Sequence, residues 1–373
     1  MKKILIAFGT RPEAIKMAPL IKSLSSSFEI SVCVTGQHRQ MLDQVLELFE
    51  IKPDVDLDIM KEGQDLFDIT SRILLKFKDV LINLEPDLVL VHGDTTTSMT
   101  CALSSFYNNT PVGHVEAGLR TNNIYSPFPE ELNRQITARI AKFNFAPTLN
   151  SKINLINEGV KEDRIFITGN TIVDSLETIK LRALKEEFPE KILTDLPFLN
   201  NDLKKQIILI TGHRRENFGE GFKEICFGLK DLANHYKELK FIYPVHLNPN
   251  VIEPVEEVLG NIENMYLIEP VEYLVFIKLM QISRLIITDS GGIQEEAPSF
   301  SLPVLVMRDT TERPEAIDSG HARLVGADRK SILDQGKEIL DNEAHYSQIL
   351  ESNNPFGDGK ASDKIKEILI ANL

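Results

Sequence analysis

This sequence predicts two doubly wound α/β domains, each a parallel sheet flanked by helices, and three observations carry the expectation. Apolar runs of strand length alternate with amphipathic stretches of helix length from end to end, as parallel sheets require, since each parallel crossover needs a connecting helix. The 373 residues, 42% of them hydrophobic, are enough for large cores and, at roughly 150 residues per domain, for two of them. Clusters of Gly, Asp, Glu, His and Arg follow nearly every apolar run, and the carboxyl ends of parallel strands are where open α/β sheets hold their ligands.

Taken in order, the strands of the first half are expected at residues 3–8, 30–34, 88–92, 112–115 and 144–146. Each is a short aliphatic or aromatic run bounded by turn residues or by a helical period. Those of the second half are expected at 207–211, 240–244, 265–267, 285–288 and 304–307. The two Rossmann-like domains are then residues 1–169 and 170–358, with a hinge near Gly169-Asn170 and the active site in the cleft between them. Residues 181–205 are charged, carry Pro189 and Pro197 and lack a clear period, which marks an exposed excursion. After the loop Asn353-Asn354-Pro355-Phe356-Gly357-Asp358-Gly359, the stretch 361–373 reads as a helix, and the terminal piece 359–373 is expected to pack back on the first domain.

The formal net charge of -14 argues against nonspecific binding to nucleic acid or to an anionic membrane, both of which need basic patches. It leaves room for a small anion held locally. No apolar run approaches the ~20 residues of a membrane span. The opening Met1-Lys2-Lys3-Ile4-Leu5-Ile6 leads straight into Gly9-Thr10-Arg11-Pro12, which reads as a buried strand and not a signal peptide. Cys33, Cys101 and Cys226 are odd in number and far apart in apolar surroundings. That suggests neither a disulfide framework nor a metal site and fits a reducing cytoplasm.

The most informative stretch ends the 285–288 run in Asp289-Ser290-Gly291-Gly292 and restarts as Ile293-Gln294-Glu295-Glu296-Ala297. Ser290, Gly291 and Gly292 let the backbone approach a ligand, and the free N–H groups of the helix start suit a diphosphate. Glu296, one turn on, is placed to accept from ribose hydroxyls. A plain strand-to-helix connection explains the two glycines as well, so the other clusters decide. After the first run, Pro12 suits a first helical turn while Arg11 and Lys16 offer positive charge to a phosphate. Asp94, in Gly93-Asp94-Thr95-Thr96-Thr97, reads as a ligand group or as a helix cap.

His114-Val115-Glu116-Ala117-Gly118-Leu119-Arg120 sets a carboxylate and an arginine at another strand end, for chemistry or for an ion pair between Glu116 and Arg120. Ser126-Pro127-Phe128-Pro129-Glu130-Glu131-Leu132-Asn133-Arg134 opens a helix with Glu130 and Glu131 in its first turn, which the helix dipole also favours. In the second half, His213, Arg214 and Arg215 crowd together after residues 207–211, and such crowding calls for an anion. Arg313 is a further candidate phosphate partner, and Phe276 either stacks on a base or fills the core.

The carboxylates Asp94, Glu116 and Glu130, set against a nucleotide grip and arginines in the other domain, suggest chemistry on a group attached to a diphosphate. Arginines stabilise the charge on a departing nucleoside diphosphate, while carboxylates move a proton and shelter a sugar oxocarbenium ion. Neither Gly-x-Gly-x-x-Gly after the first strand nor a Walker lysine motif is present. NAD and ATP chemistry are therefore disfavoured, and no separate cofactor or metal is needed.

Gly9-Thr10-Arg11-Pro12-Glu13-Ala14-Ile15-Lys16, Gly93-Asp94-Thr95-Thr96-Thr97, the runs 114–121, 126–131 and 211–217, and Asp289-Ser290-Gly291-Gly292-Ile293-Gln294-Glu295-Glu296-Ala297-Pro298 stand in order along the chain. Together they resemble the bacterial non-hydrolysing UDP-N-acetylglucosamine 2-epimerases from about residue 3 to 360. The resemblance implies a glycosyltransferase-B fold, a homodimer, and reversible conversion of UDP-N-acetylglucosamine to UDP-N-acetylmannosamine for surface polysaccharide synthesis. It implies anti elimination of UDP to 2-acetamidoglucal followed by syn re-addition. By motif, Asp94, Glu116 and Glu130 become the acid/base and oxocarbenium-stabilising groups, with His213 at the diphosphate and glycosidic oxygen. Arg11, Lys16, Arg134, Arg215 and Arg313 become phosphate or sugar contacts, Ser290, Gly291 and Gly292 hold the diphosphate, Glu296 the ribose, and Phe276 lies near the uracil. The same resemblance places an allosteric substrate molecule at Gln37, His38 and Gln40. Two departures stand out: Gly63, where regulated members carry an arginine nearby, and His321 in Ser319-Gly320-His321-Ala322. A hydrolysing epimerase, a glycosyltransferase of the same fold and a nucleotide-sugar sensor without turnover are the competing readings.

Overall fold

The computed structural model describes residues 1–36, 39–61, 63–200, 206–214 and 217–373, and of residues 39–41, 200, 345 and 350 it describes the backbone alone. Gln37, His38, Arg215 and the side chain of Gln40 therefore lie outside the described residues. The chain divides into two compact units, Met1–Ser175 with Phe356–Leu373, and Leu176–Pro355.

The first unit holds seven parallel strands: β1 (Lys3–Phe8), β2 (Glu29–Val34), β3 (Val55–Asp56), β4 (Leu88–His92), β5 (Val112–Val115), β6 (Phe143–Ala146) and β7 (Ile165–Ile167). Their order across the sheet is β3-β2-β1-β4-β5-β6-β7. Sequence order reverses between β1 and β4, so the turns after Phe8 and His92 leave the sheet on either side of a topological switch point. Ile4 to Phe8 and Leu88 to Val91 are buried without alternation, because helices cover both faces of a parallel sheet. Helix Leu66–Leu84 lays Ile69, Ile73, Phe77 and Leu81 into a core with Leu5, Val89 and Val91, each such side chain contributing about 1.5–3 kcal/mol. The helix starts where it does because Asp65 and Asp68 cap each other's backbone N–H, at 2.8 and 3.2 Å.

The second unit repeats the plan with β8 (Ile207–Thr211), β9 (Lys240–Pro244), β10 (Met265–Ile268), β11 (Ser283–Thr288), β12 (Val304–Val306) and β13 (Ala322–Leu324). The order is β10-β9-β8-β11-β12-β13, all parallel, with its reversal between β8 and β11. Ile208, Ile210, Phe222, Leu229, Phe241, Ile287 and Leu305 form its core.

Three edge strands, β3, β7 and β13, were not expected; they hold two or three residues each, too few for a pattern to register. Of the exposed excursion expected over residues 181–205, the described part, 181–200, is mostly exposed as expected but largely helical. Helix Thr171–Lys185 runs into it, helix Glu190–Asp195 and the 3-10 turn Pro197–Asn200 follow, and Ala183, Ile192 and Leu196 are buried. Pro189 and Pro197 punctuate these elements at their starts, which is where a missing N–H costs nothing.

The chain passes between units inside helix Thr171–Lys185, at Ser175/Leu176. Gly169 (φ +91°) has Phe356 O only 3.3 Å from where a Cβ would stand, and the Asn170 N–H donates to that oxygen at 2.7 Å. The last helix, Ala361–Asn372, packs against helix Arg11–Leu24 within the first unit.

Candidate functional site

In the first unit the polar side chains gather where β1, β4 and β5 end. Gly9 follows β1, and a Cβ there would sit 2.1 Å from Thr35 Oγ1 and 2.5 Å from Thr97 Oγ1, so only glycine lets three strand ends converge. Glu13, buried, accepts from the Gly9 and Thr10 N–H groups at 3.0 and 2.8 Å and from the Thr95 and Ser98 hydroxyls at 2.8 Å each. It ties the turn after β1 to the turn after β4. Burial pushes its carboxyl above the usual range, and the hydrogen bonds from Thr95, Gly9, Thr10 and Ser98 oppose that.

Glu116 stands just beyond β5 with φ 63°, a left-handed conformation that a non-glycine residue holds only when its surroundings fix it. Three groups fix it here. Lys16 Nζ forms a buried ion pair and hydrogen bond with Glu116 Oε2, Asn170 Nδ2 donates to the same oxygen at 2.8 Å, and His92 Nε2 lies 3.7 Å away. Asp94 Oδ2 accepts from Arg134 Nη2 at 2.6 Å, and Asn133 Nδ2 holds the Asp94 carbonyl at 2.9 Å. Arg134 also donates to Glu131 at 3.0 Å. Glu131 in turn accepts the Thr121 and Asn122 N–H groups at 3.1 Å, a structural duty, whereas Glu130 is half-buried at the start of helix Glu130–Ile140. Beneath this, the buried His114 ring donates from Nε2 to Gly93 O at 2.7 Å, and burial lowers its pKa to about 3. Arg120 does not pair with Glu116 but with Glu158, through two bonds of 2.7 Å. Lys16 is thus paired with Glu116 and Arg134 with Asp94, two ion pairs at the ends of neighbouring strands, with Arg11 half-buried at the start of its helix.

In the second unit the corresponding turns follow β8 and β11. Asp289, fully buried, accepts from the His213 and Arg214 N–H groups at 2.8 Å each, and His213 Nδ1 lies 3.8 Å from its other oxygen. The His213 ring stacks on His246, centroids 5.1 Å apart. Burial lowers the His213 pKa, Asp289 raises it, and His246 and Arg214 lower it further. Ser290 precedes the short helix Gly291–Glu296. Arg313 is packed against Gly291, so closely that a Cβ there would lie 2.7 Å from Nη1. Its guanidinium is engaged by Glu295 at 2.7 Å and Glu312 at 3.3 Å, which places it behind the glycine turn. Glu296 Oε1 accepts from Tyr273 OH at 3.0 Å, and Phe276 is buried in helix Tyr273–Ile282. His321 is internal, between the Ser319 and Ser352 hydroxyls at 3.0 Å each. Gly63 sits in open space with φ +70°.

Sequence reasoning passed over Glu13, His92, Asn133 and Asp289 as working parts, and weighed Asn170 only as a hinge. All five immediately follow or end a strand, or open or line a helix beside one, a signal that was present but spread over residue types common in caps.

The family model described as UDP-N-acetylglucosamine 2-epimerase matches residues 22–370. The UDP-N-acetylglucosamine 2-epimerase of Escherichia coli (strain K12) is 53% identical over 370 residues, 98% of this chain and 98% of that protein. The crystal structure of UDP-GlcNAc 2-epimerase from Neisseria meningitidis bound to UDP-GlcNAc superposes with a TM-score of 0.94 at 49% identity, covering 99% of this chain and all of that one. The Methanocaldococcus jannaschii enzyme in complex with UDP-GlcNAc and UDP has a TM-score of 0.84 at 33% identity, each chain covered in full.

Proposed function

The chain belongs to the UDP-N-acetylglucosamine 2-epimerase family, and we propose that it interconverts UDP-N-acetylglucosamine and UDP-N-acetylmannosamine without hydrolysing either. The hydrogen at carbon 2 is not adjacent to a carbonyl, so its direct removal is prohibitive. Anti elimination solves this: a carboxylate takes the proton from carbon 2, the carbon 1–oxygen bond breaks, and UDP leaves with the electron pair to give 2-acetamidoglucal. Syn re-addition then delivers a proton to the other face of carbon 2 while a UDP oxygen attacks carbon 1. The sequence is redox-neutral and requires no separate cofactor.

The observation that carries this reading is a pair of held carboxylates at neighbouring strand ends, Glu116 met by a buried lysine, a histidine and an amide, and Asp94 held by an arginine. A sugar there meets two carboxylates whose positions are fixed by different partners, as paired proton transfers require. Glu130, at the helix start, is the third acid/base candidate. Arg11, Lys16, Arg134 and Arg215 are phosphate or sugar contacts, with Arg313 supporting the turn formed by Ser290, Gly291 and Gly292. Glu296 takes the ribose, and His213 meets the leaving oxygen.

The reading includes a homodimer. Helix Leu66–Leu84 buries one apolar face and exposes Phe67, Leu75 and Ile82 on the other, and Phe106 and Tyr107 are exposed at the end of the helix packed beside it. It also includes a cytoplasmic site of action and activation by substrate near Gln37, His38 and Gln40. Among the described residues no helix is long and apolar enough to cross a membrane.

Proton NMR of purified protein with UDP-N-acetylglucosamine alone in deuterated water tests the reaction. UDP-N-acetylmannosamine carrying deuterium at carbon 2 is the expected product. Free N-acetylmannosamine plus UDP would mean a hydrolysing enzyme, and an unchanged spectrum would leave an acceptor-dependent transferase or a sensor.

A further inference from the structure

We infer that Asp289 is the carboxylate partner of His213, fixing the imidazole proton on Nδ1 so that Nε2 is the nitrogen offered to the leaving diphosphate oxygen. The inference rests on the role proposed above for His213. It starts from an accounting of Asp289's two oxygens. Oδ2 accepts the consecutive N–H groups of His213 and Arg214, both at 2.8 Å. Oδ1 is buried and has no hydrogen-bond partner among the described residues, an unfavourable state for a polar atom. His213 Nδ1 lies 3.8 Å from it.

That gap is small and the surroundings are stiff. The Asp289 N–H donates to Thr211 O at 3.3 Å and the Ser290 N–H to the Thr288 hydroxyl at 3.0 Å, which pins the turn after β11. Tyr243 OH holds the Gly212 carbonyl at 3.0 Å, which pins the turn after β8. The His213 main chain is thus bolted to one oxygen of a carboxylate while its ring hovers beside the other. A modest side-chain rotation completes an Nδ1–H to Oδ1 bond, and the ring is exposed enough, at 45%, to make it. Asp289, His246 and Arg214 are the charged or titratable neighbours facing the ring; of these Asp289 alone favours an imidazolium. With Nδ1–H held, the imidazolium form gives its Nε2 proton to the oxygen that carries the electron pair when the carbon 1–oxygen bond breaks, leaving the neutral Nδ1–H tautomer, and Nε2 takes that proton back when the oxygen attacks again. Asp289, fully buried, acts through His213 and is a positioning residue.

Asp289→Asn separates this role from a merely structural one. The asparagine carbonyl retains both backbone N–H bonds and turns its amide toward His213, so the group that accepted from Nδ1 now donates to it. Nitrogen-15 NMR of labelled histidine, on unliganded protein, is expected to show the Nδ1–H tautomer in the native chain. In the variant it should show the Nε2–H tautomer and a lower pKa. kcat should fall on the order of a hundredfold, with KM changed less than about threefold, and no further loss when combined with His213→Gln. A native chain protonated on Nε2 overturns the pairing, and so does a variant with unchanged tautomer and titration. If Asp289→Asn fails to fold, the native-chain tautomer still decides. A native Nδ1–H tautomer in a chain that turns over no UDP-N-acetylglucosamine would sustain the pairing and fault the epimerase reading instead.

Discussion

His114 shows how far a single side chain's chemistry is set by where the chain puts it. It lies inside β5, fully buried, with Nε2–H given to Gly93 O and Nδ1 without a hydrogen-bond partner. Burial lowers its pKa from 6.5 to about 3. The folded chain therefore refuses a proton that the unfolded chain accepts between those two pH values. Where the unfolded state binds more protons, stability rises with pH, so the contribution of neutral His114 is complete above pH 6.5 and drains away as pH falls toward about 3. The slope from this one group approaches about 1.4 kcal/mol per pH unit within the window. Urea unfolding of the native chain and of His114→Gln, compared at several pH values from neutral down to about 4.5, should show their difference changing steadily with pH in the native chain's disfavour; parallel curves would refute this. The sequence marked Asp94, Glu116 and Glu130 because carboxylates at strand ends are conspicuous. It did not mark His114 or Glu13, whose side chains look like ordinary strand and helix residues until the sheet buries them.

At the scale of elements, the long strands were legible and the short ones were not, for a physical reason. β1, β4, β8 and β9 are five or six residues long and buried on both faces, so their composition alone announces them. β3, β7 and β13 are two- or three-residue edges whose pairing is imposed by the neighbouring strand. The C-terminal helix was visible as a periodic stretch, but what anchors it was not. Asp174, on helix Thr171–Lys185, accepts the Ser362 N–H at 2.8 Å and the Ala361 N–H at 3.2 Å, capping helix Ala361–Asn372 from a distance of 187 and 188 residues along the chain. Losing a cap of this kind costs about 1 kcal/mol. Asp174→Ala should lower the unfolding free energy by that amount. It should also speed amide hydrogen exchange across 361–372 more than elsewhere in the first unit. Uniform exchange changes, or none, would mean that packing against helix Arg11–Leu24 alone holds the terminus.

At the scale of the whole molecule, a chain with net charge -14 repels its own copies, so the proposed homodimer needs an apolar contact strong enough to overcome this. Helix Leu66–Leu84 supplies the means. Ile69, Ile73, Phe77, Val80 and Leu81 occupy its inward face, yet Phe67 is 85% exposed, Leu75 68% and Ile82 52%. At about 100° per residue these three fall within one arc opposite the buried face. A helix apolar on both sides belongs inside something, and no part of the described chain covers the outer side of these three residues. A second copy presenting the same stripe is the simplest cover, because a two-fold interface is self-complementary. Standard interfaces bury about 800 Å² per partner, which three large side chains plus Phe106 and Tyr107 on the neighbouring helix, 59% and 65% exposed, begin to supply. Charges on the stripe should therefore abolish association without unfolding the chain, since the inner face is untouched. In sedimentation at micromolar concentration, native protein should run as a dimer, and Leu75→Glu/Ile82→Glu as a monomer with an unchanged far-ultraviolet circular dichroism spectrum. If the native chain is monomeric, or the charged variant still sediments as a dimer, the contact lies elsewhere or the dimer is not formed.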